Sequence, residues 1–243
     1  MGRLMSISFT GIDARTDLNE LEQITKENPF VEFAVLLSHN WKDNGNRYYN
    51  PNEIINFLGK TIFLNAHLCG SLAHDAALGK RLPYDFLDIR LWDHFHRFQL
   101  NIAERSDNPS YVLRPHGTFQ EIIIQQKSVD RMDLFLESIK SRKDSIYRNF
   151  SLLLDASGGC GVDTPLHVYP TKKYHIGYAG GINEHNVADK LRFLLSRPDV
   201  GLFWIDIESG VRTDDWFDTT KVRRIIEICK NVVKEQRKTN RNV

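Results

Sequence analysis

The chain has 243 residues, 41% hydrophobic and 26% charged, with a formal net charge of +1. That balance describes a folded protein with a sizeable core and excludes a low-complexity or disordered chain. Near-neutral charge supplies no broad positive field for nucleic acid, and three cysteines, Cys69, Cys160 and Cys229, are an odd number without metal-ligand spacing, which argues against a disulfide framework.

Strand-like runs fall, in chain order, at 5–12, 31–38, 61–66, 97–102, 119–126, 150–156, 175–181 and 201–207. Several are apolar nearly throughout, as parallel strands buried on both faces should be. Helical patterns lie between them: after Asp17, from Asn50 with Pro51 in the first turn, over Ser128–Arg148, after Asn183, and after Asp218. Shorter helices are expected near Ser71 and around 84–95, and the stretch 103–118, with Pro109, Pro115 and Gly117, reads as irregular. This alternation predicts an α/β fold, a single-domain (β/α)8 TIM barrel over 1–243 with an irregular region around the third and fourth βα units.

No apolar run approaches the length that spans a bilayer, and the first residues read as a strand rather than a charged-then-apolar leader. The expectation is a cytoplasmic monomer or homodimer with no nucleic-acid or membrane partner and no cofactor or metal; the basic stretch 234–242 reads as a frayed helix end.

In such a barrel the chemistry sits in the loops after the strands. Three strands end in polar or glycine-rich turns, in Asn149–Gly161, Tyr174–Asn186 and Gly201–Arg212, which places Asp155, Gly180, Gly181, Asp206 and Ser209 on one face.

The motifs there and upstream resemble phosphoribosylanthranilate isomerase. Phe9-Thr10-Gly11-Ile12 resembles that family's Ile-Cys-Gly-Ile, and Asn46-Arg47-Tyr48-Tyr49-Asn50-Pro51 its Pro-Arg-Tyr-Val-Ser-Pro. Gln99-Leu100 is similar to Gln-Leu-His, and Leu153-Leu154-Asp155 with Gly158-Gly159-Cys160-Gly161 to Leu-Leu-Asp and Gly-Gly-Thr-Gly. Gly180-Gly181-Ile182-Asn183 with Asn186-Val187 and Asp206-Ile207-Glu208-Ser209-Gly210-Val211 follow in the family's order. The resemblance implies acid/base isomerisation of a small phosphorylated, sugar-derived ligand, with Asp155 as the acid. It also implies Arg47 at a ligand carboxylate, and a phosphate held by Gly180, Gly181, Ser209 and Gly210.

A strand-end aspartate can instead cap its own turn, here through the amides of Ser157 and Gly158. Thr10 stands where the family has its cysteine base, and a hydroxyl has no useful basicity at neutral pH. The base is then sought at Asp13, His67, His39 or Cys69, each of which could equally satisfy local backbone. Glu208 stands where the family carries a serine and Arg212 where it often carries an acid, so the two exchange charges or pair with each other. Two other readings stand beside the isomerase. One is a non-catalytic barrel that still holds a phosphorylated ligand; the other is a metal-dependent hydrolase or lyase using some of His39, His67, Cys69, His74, Asp155 and Asp206. Lys127, near the fifth strand's end, invites a Schiff-base reading but suits a surface helix start.

Overall fold

In the computed structural model, which describes residues 1–44, 46–77, 89–101, 121–140 and 150–239, eight parallel strands close into a barrel. These are β1 (Arg3–Thr10), β2 (Val31–Leu37), β3 (Leu64–Cys69), β4 (Phe98–Asn101), β5 (Ile122–Gln126), β6 (Phe150–Asp155), β7 (Ile176–Ala179) and β8 (Leu202–Ile207). They pair in sequence order, and β8 returns to β1 with Ser8 opposite Asp206 and Phe9 opposite Ile207. Closure removes every edge and brings the first and last strands' turns side by side.

The helices begin and end where local chemistry dictates. Asp17 accepts the Asn19 amide at 2.9 Å and starts α1 (Leu18–Glu27), whose buried Leu21, Ile24 and Thr25 face the barrel. Asn28 ends it, donating both its backbone amide and its side-chain amide to the Ile24 carbonyl. Further along are α2 (Ser71–Ala77), α3 (Ile89–Trp92) and α4 (Val129–Lys140), then α5 (Val187–Ser196) and α6 (Thr219–Thr239). Along α6, Val222, Ile225, Ile226, Cys229 and Val232 form one buried stripe at helical spacing.

Two expectations change. The helix expected from Asn50 is a 3₁₀ segment, Pro51–Phe57: Asn50 caps it through the Asn52 amide, but Leu58 leaves helical geometry with ψ 131° and Gly59 takes φ +77°. The third strand runs Leu64–Cys69 rather than 61–66, because pairing with β2 begins at Leu64 opposite Phe33. Between β6 and β7 the chain crosses residues 156–175 without a helix, touching the barrel through a bridge from Thr171 to Val200. The irregular stretch expected at 103–118 lies outside the described residues. After β8 a short ribbon, β9 (Arg212–Thr213) and β10 (Trp216–Phe217), turns through Asp214 and Asp215 at φ 50° and 61°.

Apolar packing is concentrated between barrel and helices, where Ile7, Phe9, Phe33, Val35, Leu68, Ile205, Ile225 and their neighbours are fully or nearly fully buried. Burial of each such side chain stabilises the fold by about 1.5–3 kcal/mol. A separate buried cluster holds only Ile123, Leu153, Ala179 and Trp204, on the strand faces that share alternation with Asp155 and Asp206. Much of the rest of that inner surface is polar, with Ser6, Ser8, Thr10, Asn65, His67, Arg97 and Gln99 all buried. Arg97 pairs with Glu32 and stacks over the Trp204 ring at 4.6 Å, so this charge is both neutralised and covered.

Candidate functional site

A cavity of about 950 Å³ opens at the C-terminal ends of the strands. Two carboxyl groups face into it from β6 and β8. Asp206 is 8% exposed and accepts a hydrogen bond from Thr10 Oγ1 at 2.6 Å across the β1–β8 seam. Burial pushes its carboxyl up to about 7, with the negative charges of Glu208 and Asp155 pushing the same way and the Thr10 hydroxyl pulling back. Position 10 therefore supplies a donor that holds a carboxyl poised to gain or lose a proton near neutral pH.

Asp155, 4% exposed, accepts four hydrogen bonds. Its Oδ1 takes the Ser157 amide at 3.1 Å and the Ser157 hydroxyl at 2.7 Å; its Oδ2 takes the Gly159 amide at 2.6 Å and Gln125 Nε2 at 2.7 Å. The turn-capping expectation holds for Ser157, but the second amide is Gly159 rather than Gly158, whose N–H goes to the Asp155 carbonyl. As placed, the carboxyl is an acceptor on both oxygens. Gln125 was not among the expected site residues. Its signal was present, an amide one place before the end of the Ile122–Gln126 strand, where an apolar residue would ordinarily face inward.

Of the expected bases, Cys69 borders the cavity, whereas Asp13, His67 and His39 do not. Asp13 is 2% exposed and fastens the first loop to the last ribbon: its Oδ1 accepts from the Arg15 amide and the Thr16 hydroxyl, and its Oδ2 from the Phe217 amide at 2.6 Å, 3.8 Å from Arg212 Nη2. His67 lies inside β3 because that strand starts three residues later than expected. Burial and the Arg97 charge push it down to about 3, so its imidazole is neutral. Cys69, on the same face two residues on, does line the cavity, but burial and the Glu208 charge push its thiol up to about 12. His39 stands at the surface with Nδ1 3.0 Å from the Ser71 hydroxyl.

The expected ligand-binding arginines are engaged within the chain. Arg47 Nη2 meets Glu208 Oε1 at 2.7 Å, so Glu208 pairs across the mouth with Arg47 and not with Arg212. Glu208 is raised by burial, and Arg47 and Arg212 pull it back. Arg212, its side chain 11% exposed, donates to the carbonyls of Gly11 at 2.8 Å, Asn46 at 2.7 Å and Asp215 at 2.5 Å, and Nε reaches Asp215 Oδ1 at 3.3 Å. It ties three loops together beside the cavity.

The glycine turns have a packing reason. Gly181 sits at φ 62°, and a Cβ there would run into the backbone of Val162 and Asp163, which crosses directly over it. Lys190 clamps that crossing, its Nζ reaching Asp163 Oδ1 at 2.7 Å, the Thr164 carbonyl at 2.7 Å and the Gly180 carbonyl at 3.2 Å. A Cβ on Gly210 would strike the Ile182 carbonyl oxygen, and Ser209 Oγ donates to the Gly161 carbonyl at 3.3 Å. The turns after β6, β7 and β8 thus lean on one another, and Gly161, Gly180, Gly181 and Ser209 all border the cavity. Lys127 and Arg131 border it on the β5 side, with Lys127 lying over Gly158.

Among the described residues no three His, Cys, Asp or Glu side chains converge as a metal site requires, and no helix is long and apolar enough to cross a membrane.

No family profile and no curated protein matches the chain. Among solved structures, its fold is similar to that of N-(5'-phosphoribosyl)anthranilate isomerase from Pyrococcus furiosus, with a TM-score of 0.56 over 93% of this chain and 99% of that one, at 15% identity. That likeness shows the barrel fold over 93% of the chain.

Proposed function

We propose that the chain is an acid/base isomerase of a small phosphorylated, sugar-derived substrate, with Asp206 as its proton-transfer group. The observation that carries this reading is that Asp206 and Asp155, from β8 and β6, face one cavity at the C-terminal ends of the strands, with Asp206 poised to titrate to about 7. A catalytic acid or base works best with its pKa near the operating pH.

The chemistry divides between the two carboxyls. Asp206, when protonated, donates to the ring oxygen as the C1–O bond breaks and the lone pair of the other C1 heteroatom forms a double bond to C1. The resulting carboxylate then takes the C2 proton, the C2–H electrons form C1=C2 and the C1 double-bond electrons return to the heteroatom. The enol ketonises by losing its O2 proton and gaining one at C1. Asp155, fixed by Gln125, Ser157 and Gly159, acts as an acceptor that orients a substrate hydroxyl. Thr10 holds Asp206 in place. The phosphate sits toward the turns of Gly161, Gly180–Gly181 and Ser209, with Lys127 and Arg131 on the same border.

The test is turnover of phosphoribosylanthranilate, run beside solvent-deuterium uptake at C2 of a panel of aldose phosphates. Turnover or uptake that falls at least about 100-fold in Asp206→Asn supports the assignment. Activity that survives the substitution, or a wild-type protein inert toward every compound, overturns it.

A further inference from the structure

At the mouth of the cavity two elements far apart in sequence meet in an ion pair. Arg47 and Tyr48 come from the loop after β2 and Glu208 is the first residue after β8; all three line the cavity. Arg47 Nη2 lies 2.7 Å from Glu208 Oε1, and among the described residues the Arg47 side chain makes no other ion pair or hydrogen bond. The main chain beside Arg47 is pinned: the Asn46 carbonyl accepts from Arg212 at 2.7 Å, and the Tyr49 amide donates to the Leu36 carbonyl at 2.9 Å. Glu208 is seated against the first loop, its Cγ 3.7 Å from where a Cβ on Gly11 would stand. The fold itself therefore sets the pair, and with 43% of the Arg47 side chain exposed, the guanidinium can turn while its backbone cannot.

An unengaged guanidinium at a cavity mouth would offer a ligand carboxylate two parallel N–H donors. Here a carboxylate from the chain is already in that place, so one on the ligand must compete with Glu208 for the same head. Displacing Glu208 would leave it a partly buried charge without its cation, an unfavourable exchange; burial already raises this carboxyl, and Arg47 is the first of the groups that pull it back. The second cation on this wall, Arg212, directs its donors to the carbonyls of Gly11, Asn46 and Asp215 and to the Asp215 carboxylate. The groups flanking the pair are uncharged: burial raises the Tyr48 phenol, and the Cys69 thiol is pushed up to about 12. What the mouth presents to a ligand is a neutralised pair, a phenol and a thiol.

Resting on the reading of this cavity as the substrate site, we infer that Glu208 is a specificity-determining residue: by occupying Arg47 from within the chain, it selects sugar phosphates whose end remote from the phosphate is uncharged and rejects those that end in a carboxylate. Discrimination here comes from a built-in competitor, which acts against the wrong ligand and leaves a neutral one unopposed. Removing the Glu208 charge releases the guanidinium and turns the same mouth into a carboxylate-binding one.

Calorimetric titration of the full chain with sorbitol 6-phosphate and 6-phosphogluconate tests this, at pH 8 where Asp206 is ionised. The two open-chain ligands differ only in a hydroxymethyl group against a carboxylate at C1. Wild type should bind sorbitol 6-phosphate at least about ten-fold tighter, a difference of about 1.4 kcal/mol. In Glu208→Gln that preference should shrink to within about two-fold or reverse, through tighter binding of 6-phosphogluconate, and the gain should disappear when Arg47→Gln is added. Equal binding of the two ligands by wild type, a preference unchanged in Glu208→Gln, or a gain that survives without Arg47 overturns the role of Glu208 while leaving the sugar-phosphate site standing. Absence of binding of either ligand overturns the site reading and the specificity with it. Circular dichroism checks the folding of each variant, and the wild-type ratio decides even where a variant does not fold.

Discussion

Thr10 Oγ1 lies 2.6 Å from Asp206 Oδ1, joining the last residue of β1 to an inward-facing residue of β8. The hydroxyl can only donate to a carboxylate, so it favours the charged form of a group that burial drives toward neutrality. Thr10→Val removes that donor and should raise the Asp206 carboxyl further. The variant should be destabilised by about 1–3 kcal/mol at pH 8, where Asp206 is ionised, and by less at pH 5. Urea denaturation at the two pH values checks this; an equal loss at both would show that the bond does not discriminate between the charge states.

Asp206 also makes folding pH-dependent with a definite sign. Its folded-state value, about 7, lies above the ordinary aspartate value of 3.8, so between those limits the folded protein binds more protons than the unfolded chain. The Asp206 contribution therefore favours folding at low pH and is lost as pH rises through that window, by roughly 4 kcal/mol in total. Asp206→Asn should become more stable relative to wild type as pH rises from 4 to 8. A stability difference that stays flat across that range would contradict the placement.

Asp13 behaves as a fastener. Asp13→Asn replaces an acceptor by an amide beside the Phe217 N–H, now 2.6 Å away, and weakens the hold of the first loop on β10. The expected loss is about 2–3 kcal/mol by chemical denaturation, with the Asp206 titration unmoved. A shift of Asp206 in this variant would mean that the first loop positions the carboxyl after all.

Gly210→Ala drives a methyl into the Ile182 carbonyl oxygen and prises the β7 turn from the β8 turn. A destabilisation above about 2 kcal/mol is expected, against less than about 0.5 kcal/mol at an open surface glycine substitution of compatible geometry. An unchanged melting temperature would show that the two turns are not in contact.

Much of the architecture was legible because it is written in short-range patterns. All eight strands of the closed barrel overlap the apolar or β-branched runs read from the sequence, because their outward-facing positions are apolar even where inner ones, such as Ser6, Ser8, Asn65 and Gln99, are polar. Asp17 and the α6 stripe announced their helices. The third strand was displaced because Thr61-Ile62-Phe63 has the composition of a strand, whereas its true start is set by pairing with Phe33, a long-range contact. That displacement is why His67 looked like a loop residue.

The site was partly legible. Asp155 and Asp206 stood out as strand-end acids, and both reach the cavity. Their hydrogen-bond partners did not, because these lie far away in sequence: Gln125 for Asp155 and Thr10 for Asp206. The pairing of Arg47 with Glu208 was hidden for the same reason, as 161 positions separate two residues that end 2.7 Å apart. The glycine turns suggested anion binding alone, while the structure adds a mutual packing of three loops that would demand glycine with or without a ligand.

The proposed chemistry requires Asp206 to hold its proton near neutral pH. Carbon-13 NMR titration of the aspartate carboxyls, with Asp206→Asn to assign the resonance, measures this directly. A midpoint near 7 that moves upward in Thr10→Val is the predicted result; a midpoint near 4 would leave the cavity without its proton-transfer group and contradict the proposed chemistry.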